Sequence, residues 1–278
     1  MFYAVRAGFL CIHRGRYATH GSTTIDEADA DILYEVCHNM CMRVIRAPHL
    51  ARAHELVVKM VLEKGHIIET EDREATVECE SLAVTVTNPL ADPMVSPASR
   101  FGRRFMEQYA TDLLRGSDSI FEYDYHGRLF DWGERLSSGG AEVHVDQVAY
   151  IVTKLRESPV SRRALAITWN PVVDESLDEC PCLQLMQCMV RENKLQMNVV
   201  FRSNDMLTAA GANMFALAKL QEAIASQLGL TCGPYTHISL IPHIYYLRDI
   251  NDIEPFCDKG QEIRPIGEVC RICGKCVR

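Results

Sequence analysis

Residues 179–190 read ECPCLQLMQCMV, and VVFRSND follows at 199–205. Cys182 stands directly after a proline, at the head of a run that reads as a buried strand. A thiol there can be a nucleophile, a metal ligand or a small apolar filler, because free cysteine is among the most buried residue types. Other conspicuous polar residues follow along the chain: Arg162 and Arg163 in SRR, Arg202, Ser203 and Asp205 in FRSND, Asn213 in GANMF, and His243 and Tyr245 in PHIYY. Each alone has a bland explanation, as a solvated arginine pair, a backbone-satisfying asparagine or a core histidine. Together they describe more. Guanidinium forks suit a phosphate, and an arginine beside a thiol favours the thiolate. An asparagine can read both a carbonyl and an N–H on a pyrimidine edge. The set describes a nucleophilic thiol beside a nucleotide monophosphate.

The elements that must position these groups are visible in the periodicity. Residues 26–47 place Ile32, Val36, Cys37, Met40 and Val44 at helical spacing behind an acidic first turn, with Pro48 at the end. Cys37 and Cys41, one helical turn apart, read as core. ARAHELVVKMVLEKG repeats the pattern through Leu56, Val57, Met60 and Val61 and stops at Gly65. ATVECESLAVTVTNPLADP alternates and is β-branched, as a strand or hairpin would. A helix is expected over about 100–115, and another over VDQVAYIVTKLRESP with Val145, Val148, Val152 and Leu155 on one stripe. RALAITWNP is a strand, and CLQLMQCMVRENKLQMNVVFRSND is two strands around a polar turn, which brings Arg202 and Ser203 beside the strand of Cys182. MFALAKLQEAIASQLGL reads as a buried helix closing at Gly229, and YTHISLIPHIYYL as a short strand. Helices and strands intermix without strict βαβ alternation. The fold class is α+β, a sheet covered by helices.

The chain has 278 residues, 47% apolar and 24% charged, a composition of ordinary globular proteins. A net charge of −8 argues against a nucleic-acid partner but allows a small anionic ligand held by a knot of arginines. No apolar run approaches the roughly 18–20 residues of a membrane span. The opening MFYAVRAGFLCIHRGR makes a poor signal peptide. A cytoplasmic location is expected, with the twelve cysteines mostly reduced or bound to metal.

VDQVAYIVTKLRESPVSRRALAITWNP, Pro181-Cys182, FRSNDMLTAAGANMFALAKLQ and PHIYY resemble the thymidylate synthase family in order and spacing, most of all its short archaeal branch. The likeness runs over 141–250 and, more loosely, over 53–135, where ELVVKMVLEKG and EDREA resemble the family's first helix and its phosphate-binding loop. It implies a large mixed β-sheet covered by helices and an obligate homodimer through the sheet. The chain then divides into an N-terminal extension over 1–50, a catalytic domain over 51–253 and a Cys-rich tail over 254–278. Cys182 matches the nucleophile that adds to C6 of the uracil ring. Arg202 and Ser203 match phosphate ligands, with Arg202 also favouring the thiolate, and Arg162 and Arg163 match the pair that arrives from the other subunit. Arg73 matches the arginine of the phosphate loop. Asn213 matches the reader of the uracil edge, which favours dUMP over a cytosine nucleotide. His243 and Tyr245 match the residues that hold the deoxyribose hydroxyl. Asp205 matches the carboxylate that contacts the pterin, and Tyr125 a tyrosine implicated in removing the C5 proton. The implied reaction is reductive methylation of dUMP to dTMP, with methylene-tetrahydrofolate or methylene-tetrahydromethanopterin as co-substrate.

Three departures from the family stand out. Leu183 occupies the usual position of a histidine. The small-domain segment between Gly116 and Tyr125 is missing. The family's glutamate has no clean counterpart, since Glu107 falls two positions away, near Tyr109. Two rival readings follow: a dUMP or dCMP 5-hydroxymethylase, in which water replaces hydride, and a catalytically silent nucleotide-binding or metal-sensing relative. The tail EVCRICGKCVR spaces Cys270, Cys273 and Cys276 as C-x-x-C-x-x-C, with Cys257 upstream. Four such thiolates suit a structural zinc or an iron–sulfur cluster.

Overall fold

The computed structural model describes residues 42–117, 125–133 and 144–258. Eight strands form one mixed sheet: β1 (Arg43–Ala47), β2 (His66–Glu69), β3 (Ala75–Glu78), β4 (Leu82–Val86), β5 (Leu165–Ile167), β6 (Leu183–Arg191), β7 (Lys194–Asp205) and β8 (Thr231–Ile244). The order across the sheet is β1-β4-β8-β7-β6-β5, with β3 joining the end of β8 and carrying β2 as a hairpin partner. The helices are α1 (Leu50–Lys64), α2 (Arg103–Arg115), α3 (Tyr125–Phe130), α4 (Gln147–Glu157), α5 (Pro171–Asp174), α6 (Ala210–Gln227) and α7 (Ile250–Asp258).

The central helix is α6. Ala212, Met214, Phe215, Ala216, Leu217, Ala218, Leu220, Ile224 and Ala225 are all buried, so it is apolar around most of its circumference. Such a helix must be covered on several sides, and α6 meets β7, β8, α1, α2 and α4. It also forms the crossover between β7 and β8, which run parallel. The residue expected to mark a short strand end, Tyr235, instead lies inside a 14-residue strand at the middle of the sheet.

Two expectations are corrected. Residues 43–47 form β1, not the end of a helix: Ile45 and Ala47 are buried while Val44 is 75% exposed, the two-residue period of a strand. Parallel pairing with β4, from Arg43↔Leu82 to Ala47↔Val86, overrides the local helical spacing. Val145 precedes α4 and bridges Trp132, so the buried stripe of that helix is Val148, Ile151, Val152 and Leu155. Gly65 does end α1, though by crowding and not by a left-handed turn. Its φ is −76°, and a Cβ there would lie 2.5 Å from both the Val61 carbonyl and Val77 Cγ1.

Three buried polar groups tie the layers together. Arg128 on α3 forms a two-pronged ion pair with Asp174 of α5, at 2.6 and 3.1 Å, and also donates to the Thr168 carbonyl at 3.2 Å. His54 of α1 places Nε2 3.0 Å and 3.2 Å from the Met206 and Leu207 carbonyls beyond β7. His237 of β8 lies between Asn204 and Tyr235. Burial lowers the pKa of His54 below its ordinary value and drives that of His237 down to about 3.

Removing one partner of a buried ion pair leaves an uncompensated charge, so Arg128→Met should cost about 3–5 kcal/mol in urea unfolding. The double variant Arg128→Met/Asp174→Leu should recover most of that loss; if the double is as unstable as the single, the pair is not the cause. For the histidines, the unfolded chain binds protons below about 6.5 while folded His237 stays neutral down to about 3. Stability must therefore fall with pH across that window, by up to about 1.4 kcal/mol per unit for each such histidine. Denaturation midpoints from pH 7 to pH 5, above most carboxylate titrations, should show a shallower fall in His237→Gln than in the parent.

Candidate active site

Cys182 lies at the entry to β6 and is half-buried against the core. Its position follows from the antiparallel pairing of β6 with β7, in which Leu183 faces Phe201. The Arg202 N–H consequently donates to the Cys182 carbonyl at 2.8 Å. The Arg202 side chain folds back on the same turn, Nε donating to the Pro181 carbonyl at 3.2 Å and Nη2 to the Cys180 carbonyl at 2.8 Å. The other flank is held by Leu183, whose N–H donates to Tyr125 Oη at 3.0 Å and whose carbonyl accepts from the Thr168 hydroxyl. The Arg128–Asp174 pair anchors both α3, which carries Tyr125, and the strand end at Thr168. Three other cysteines are poor nucleophiles: burial pushes Cys79 and Cys188 up to about 12 and Cys232 up to about 11.

A second group collects at the carboxyl ends of β7 and β8, which are in parallel register through Ser203↔Ile241 and Asp205↔His243. His243 Nδ1 lies 3.2 Å from Ser203 Oγ and 3.2 Å from the Ile241 carbonyl. Its ring meets Tyr245 edge-on at 5.1 Å. Burial raises the Tyr245 phenol above its ordinary value, against the opposing pull of Arg248, whose guanidinium stacks 4.0 Å over that ring. Asp205 is heavily engaged. Oδ1 accepts from the N–H groups of Leu207 and Thr208 at 3.0 and 3.1 Å, and Oδ2 from the Thr208 hydroxyl at 2.5 Å and Arg248 at 3.0 Å. The carboxylate thus caps the turn that leads into α6.

Asn213, in the first turn of α6, accepts a hydrogen bond at Oδ1 from Tyr109 Oη at 2.9 Å, and its Nδ2 reaches Asn204 Oδ1 at 3.4 Å. Tyr109, Tyr125, Phe201 and Asn213 share one small cavity with Leu113, Ala216 and Leu217. Cys182's neighbouring groups and the candidate base reader therefore meet in one place.

The remaining arginines stand apart. Arg162 and Arg163 occupy an exposed turn before β5, where their carbonyls accept from Gln187 and Tyr150. Arg73 is at the tip of the β2–β3 hairpin, with φ 61° and its N–H donating to the Thr70 carbonyl. Its neighbours Asp72 and Glu74 act electrostatically on Tyr245, which brings the hairpin tip to the rim of the second group. Cys257 packs from α7 against the core, while Cys270, Cys273, Cys276, Cys37 and Cys41 fall outside the described residues. Among the described residues, no group of three or more His, Cys, Asp or Glu is arranged to hold a metal. No helix among them is long and apolar enough to cross a membrane.

Sequence reasoning overlooked Tyr109, Asn204 and Arg248. Asn204 lies inside FRSND and Tyr109 two residues after Glu107, so their segments were marked but not their roles. Glu107 itself points outward to Arg103 at 2.9 Å and is not part of this cluster. Arg248 pairs with its neighbour Asp249 at 2.6 Å, but the partners that bring it to this site, Asp205 and Glu74, are distant in sequence.

Residues 107–265 match the family model described as thymidylate synthase. A protein of Methanocaldococcus jannaschii named "Putative thymidylate synthase" is 39% identical over 220 residues, 77% of this chain and 96% of its own length. Proteins of the same name from Methanosarcina acetivorans and Methanosarcina mazei are each 34% identical over 204 residues, 73% of this chain and 89% of theirs. The family match, the similar relatives and the mixed sheet agree: this chain belongs to the thymidylate synthase family.

Proposed function

We propose that this chain converts dUMP to dTMP by reductive methylation through a covalent adduct between Cys182 and C6 of the uracil ring. The observation that carries the reading is the Arg202 clamp on the Cys180–Cys182 turn, next to which Tyr125, bonded to the Leu183 N–H, shares a small cavity with Asn213. Arg202 uses two of its five N–H donors on carbonyls of that turn. The others serve a phosphate, while its charge favours the thiolate of Cys182. Ser203 adds a hydroxyl to the phosphate, His243 and Tyr245 take the deoxyribose hydroxyl, and Asn213 reads the C4 carbonyl and N3–H.

Addition of the Cys182 thiolate to C6 pushes electrons onto the C4 carbonyl and makes C5 a carbon nucleophile. When bound, a methylene-carrying reduced pterin, folate or tetrahydromethanopterin, supplies the one-carbon unit and the hydride. Tyr125 takes part in removing the C5 proton, held over the Leu183 N–H beside the nucleophile. Asp205 meets the pterin as a carboxylate already held by Arg248 and by the turn at Leu207 and Thr208, so it orients. Once the C5 methylene has been reduced to methyl, the resulting C4 enolate re-forms the C5–C6 double bond and breaks the C6–S bond, which returns the Cys182 thiolate and releases dTMP.

Arg162 and Arg163 serve the phosphate of a second subunit, and Arg73 closes over it from the hairpin. Support comes from the exposed placement of both arginines and from the sheet face that the described helices leave bare, where Val44, Ile167 and Leu240 are exposed. A homodimer through that face would cover these side chains and complete both sites.

Tritium release from [5-³H]dUMP with a methylene pterin should be substantial for the parent and fall to background in Cys182→Ala, with dUMP binding retained. Release by the variant would refute the nucleophile. Mass analysis of the product should find dTMP; a 5-hydroxymethyl product would transfer the chain to the hydroxymethylase reading. Refolding Cys182→Ala together with Arg163→Ala should restore about a quarter of parental activity, because half the dimers are hybrid and each hybrid has one intact site. No recovery would place Arg163 outside the shared site.

A further inference from the structure

Behind Asn213 runs a file of hydrogen-bonded side chains from α2, across the end of β7, into β8. Tyr109 Oη donates to Asn213 Oδ1 at 2.9 Å, and Asn213 Nδ2 lies 3.4 Å from Asn204 Oδ1. Asn204 Nδ2 is 2.8 Å from His237 Nε2, and His237 Nδ1 is 2.9 Å from Tyr235 Oη. Asn204, His237 and Tyr235 are 3%, 1% and 0% exposed, so solvent offers them no substitute partners. Burial keeps His237 neutral, with one donor and one acceptor nitrogen. Since Asn204 presents an N–H, Nε2 accepts and Nδ1–H donates to Tyr235.

The file couples the Asn213 amide to the Asn204 amide and to the His237 tautomer, so that in this buried arrangement Asn213 turns over only if the others turn with it. With Oδ1 held by Tyr109 and one N–H held by Asn204, the amide still offers one lone pair and one N–H. Those complement the N3–H and C4 carbonyl of uracil. Cytosine presents the opposite pair at the same positions, a bare N3 and an amino group. Reading it would require the Asn213 amide to turn over, Asn204 to turn with it, and His237 to change tautomer. Leaving a buried pair mismatched instead is worth roughly five- to a hundredfold in an equilibrium constant.

We propose that Tyr109, backed by Asn204 and His237, fixes Asn213 in its uracil-reading orientation and so acts as a positioning residue for base specificity. The proposal rests on the dUMP reading of the site. It also gives α2 a part in that site through a phenol, since Glu107 is turned to Arg103.

The test is calorimetric titration of the full chain with dUMP, dCMP and deoxyribose 5-phosphate, for the parent, Tyr109→Phe and Asn204→Ala. The parent should prefer dUMP to dCMP by at least about tenfold, and each variant should narrow that ratio by about fivefold or more. Affinity for deoxyribose 5-phosphate, which has no base, should stay within about twofold, separating lost orientation from a general loosening of the site. Thermal midpoints identify which variants remain folded. An unchanged dUMP/dCMP ratio in whichever variant folds overturns the proposal while leaving the dUMP reading intact. A parent that binds neither nucleotide brings down that reading, and this proposal with it.

Discussion

The site depends on one strand pairing. Where β6 and β7 meet head to tail, the backbone of Arg202 is bonded to the carbonyl of Cys182, and its guanidinium returns to the two preceding carbonyls. A thiol at the mouth of a strand would otherwise sit on an irregular turn, free to swing or to bury itself. Here the turn is pinned from one side by an arginine and from the other by the Tyr125 and Thr168 contacts to Leu183. On the proposed reading, the same guanidinium that fixes the turn also supplies the positive charge a thiolate and a phosphate need. Position and electrostatics therefore come from a single residue.

The interior behind this turn is unusually polar for a core. The Arg128–Asp174 pair, His54 over the Met206 and Leu207 carbonyls, and the file from Tyr109 to Tyr235 all lie where the sheet meets its helices. Buried polar groups are costly unless satisfied, and satisfied ones are directional. Apolar packing alone would let α3 or the 206–208 turn slide by a fraction of an ångström. Hydrogen bonds to particular carbonyls do not permit that. The stability this sacrifices is returned as a fixed arrangement of Tyr125, Asn213 and Cys182.

Much of this was legible in the sequence. The run from Cys182 through FRSND, with a polar turn between two strands, announced that an arginine and a serine would stand on a strand paired with that of the cysteine, and β6 and β7 pair in that way. Gly65 marked a helix end, though the physical reason is the Val61 carbonyl and Val77 pressing against it. What escaped detection was the part written in tertiary contacts. The 43–47 segment has helical spacing in one dimension and becomes a strand only because β4 lies alongside. Arg248 finds Asp205 across 43 residues, and Asn204 finds His237 across 33. Tyr109 looked like an ordinary helix residue until α6 brought Asn213 within hydrogen-bond reach. Likeness to a family pointed to a glutamate nearby and drew the eye to Glu107, two residues away on the wrong face of the helix.

The most direct trial of the whole account is to follow the sulfur itself. In 5-fluoro-dUMP the C5 hydrogen is replaced by fluorine, which cannot leave as a cation, so an adduct formed at C6 is trapped after one-carbon transfer. Intact-mass analysis of the full chain incubated with this nucleotide and a methylene-carrying reduced pterin, followed by peptide mapping, reads the result. A single stoichiometric adduct on the peptide that contains Cys182 is predicted. An unmodified chain under conditions where the nucleotide is bound, or an adduct on any other cysteine, would contradict it.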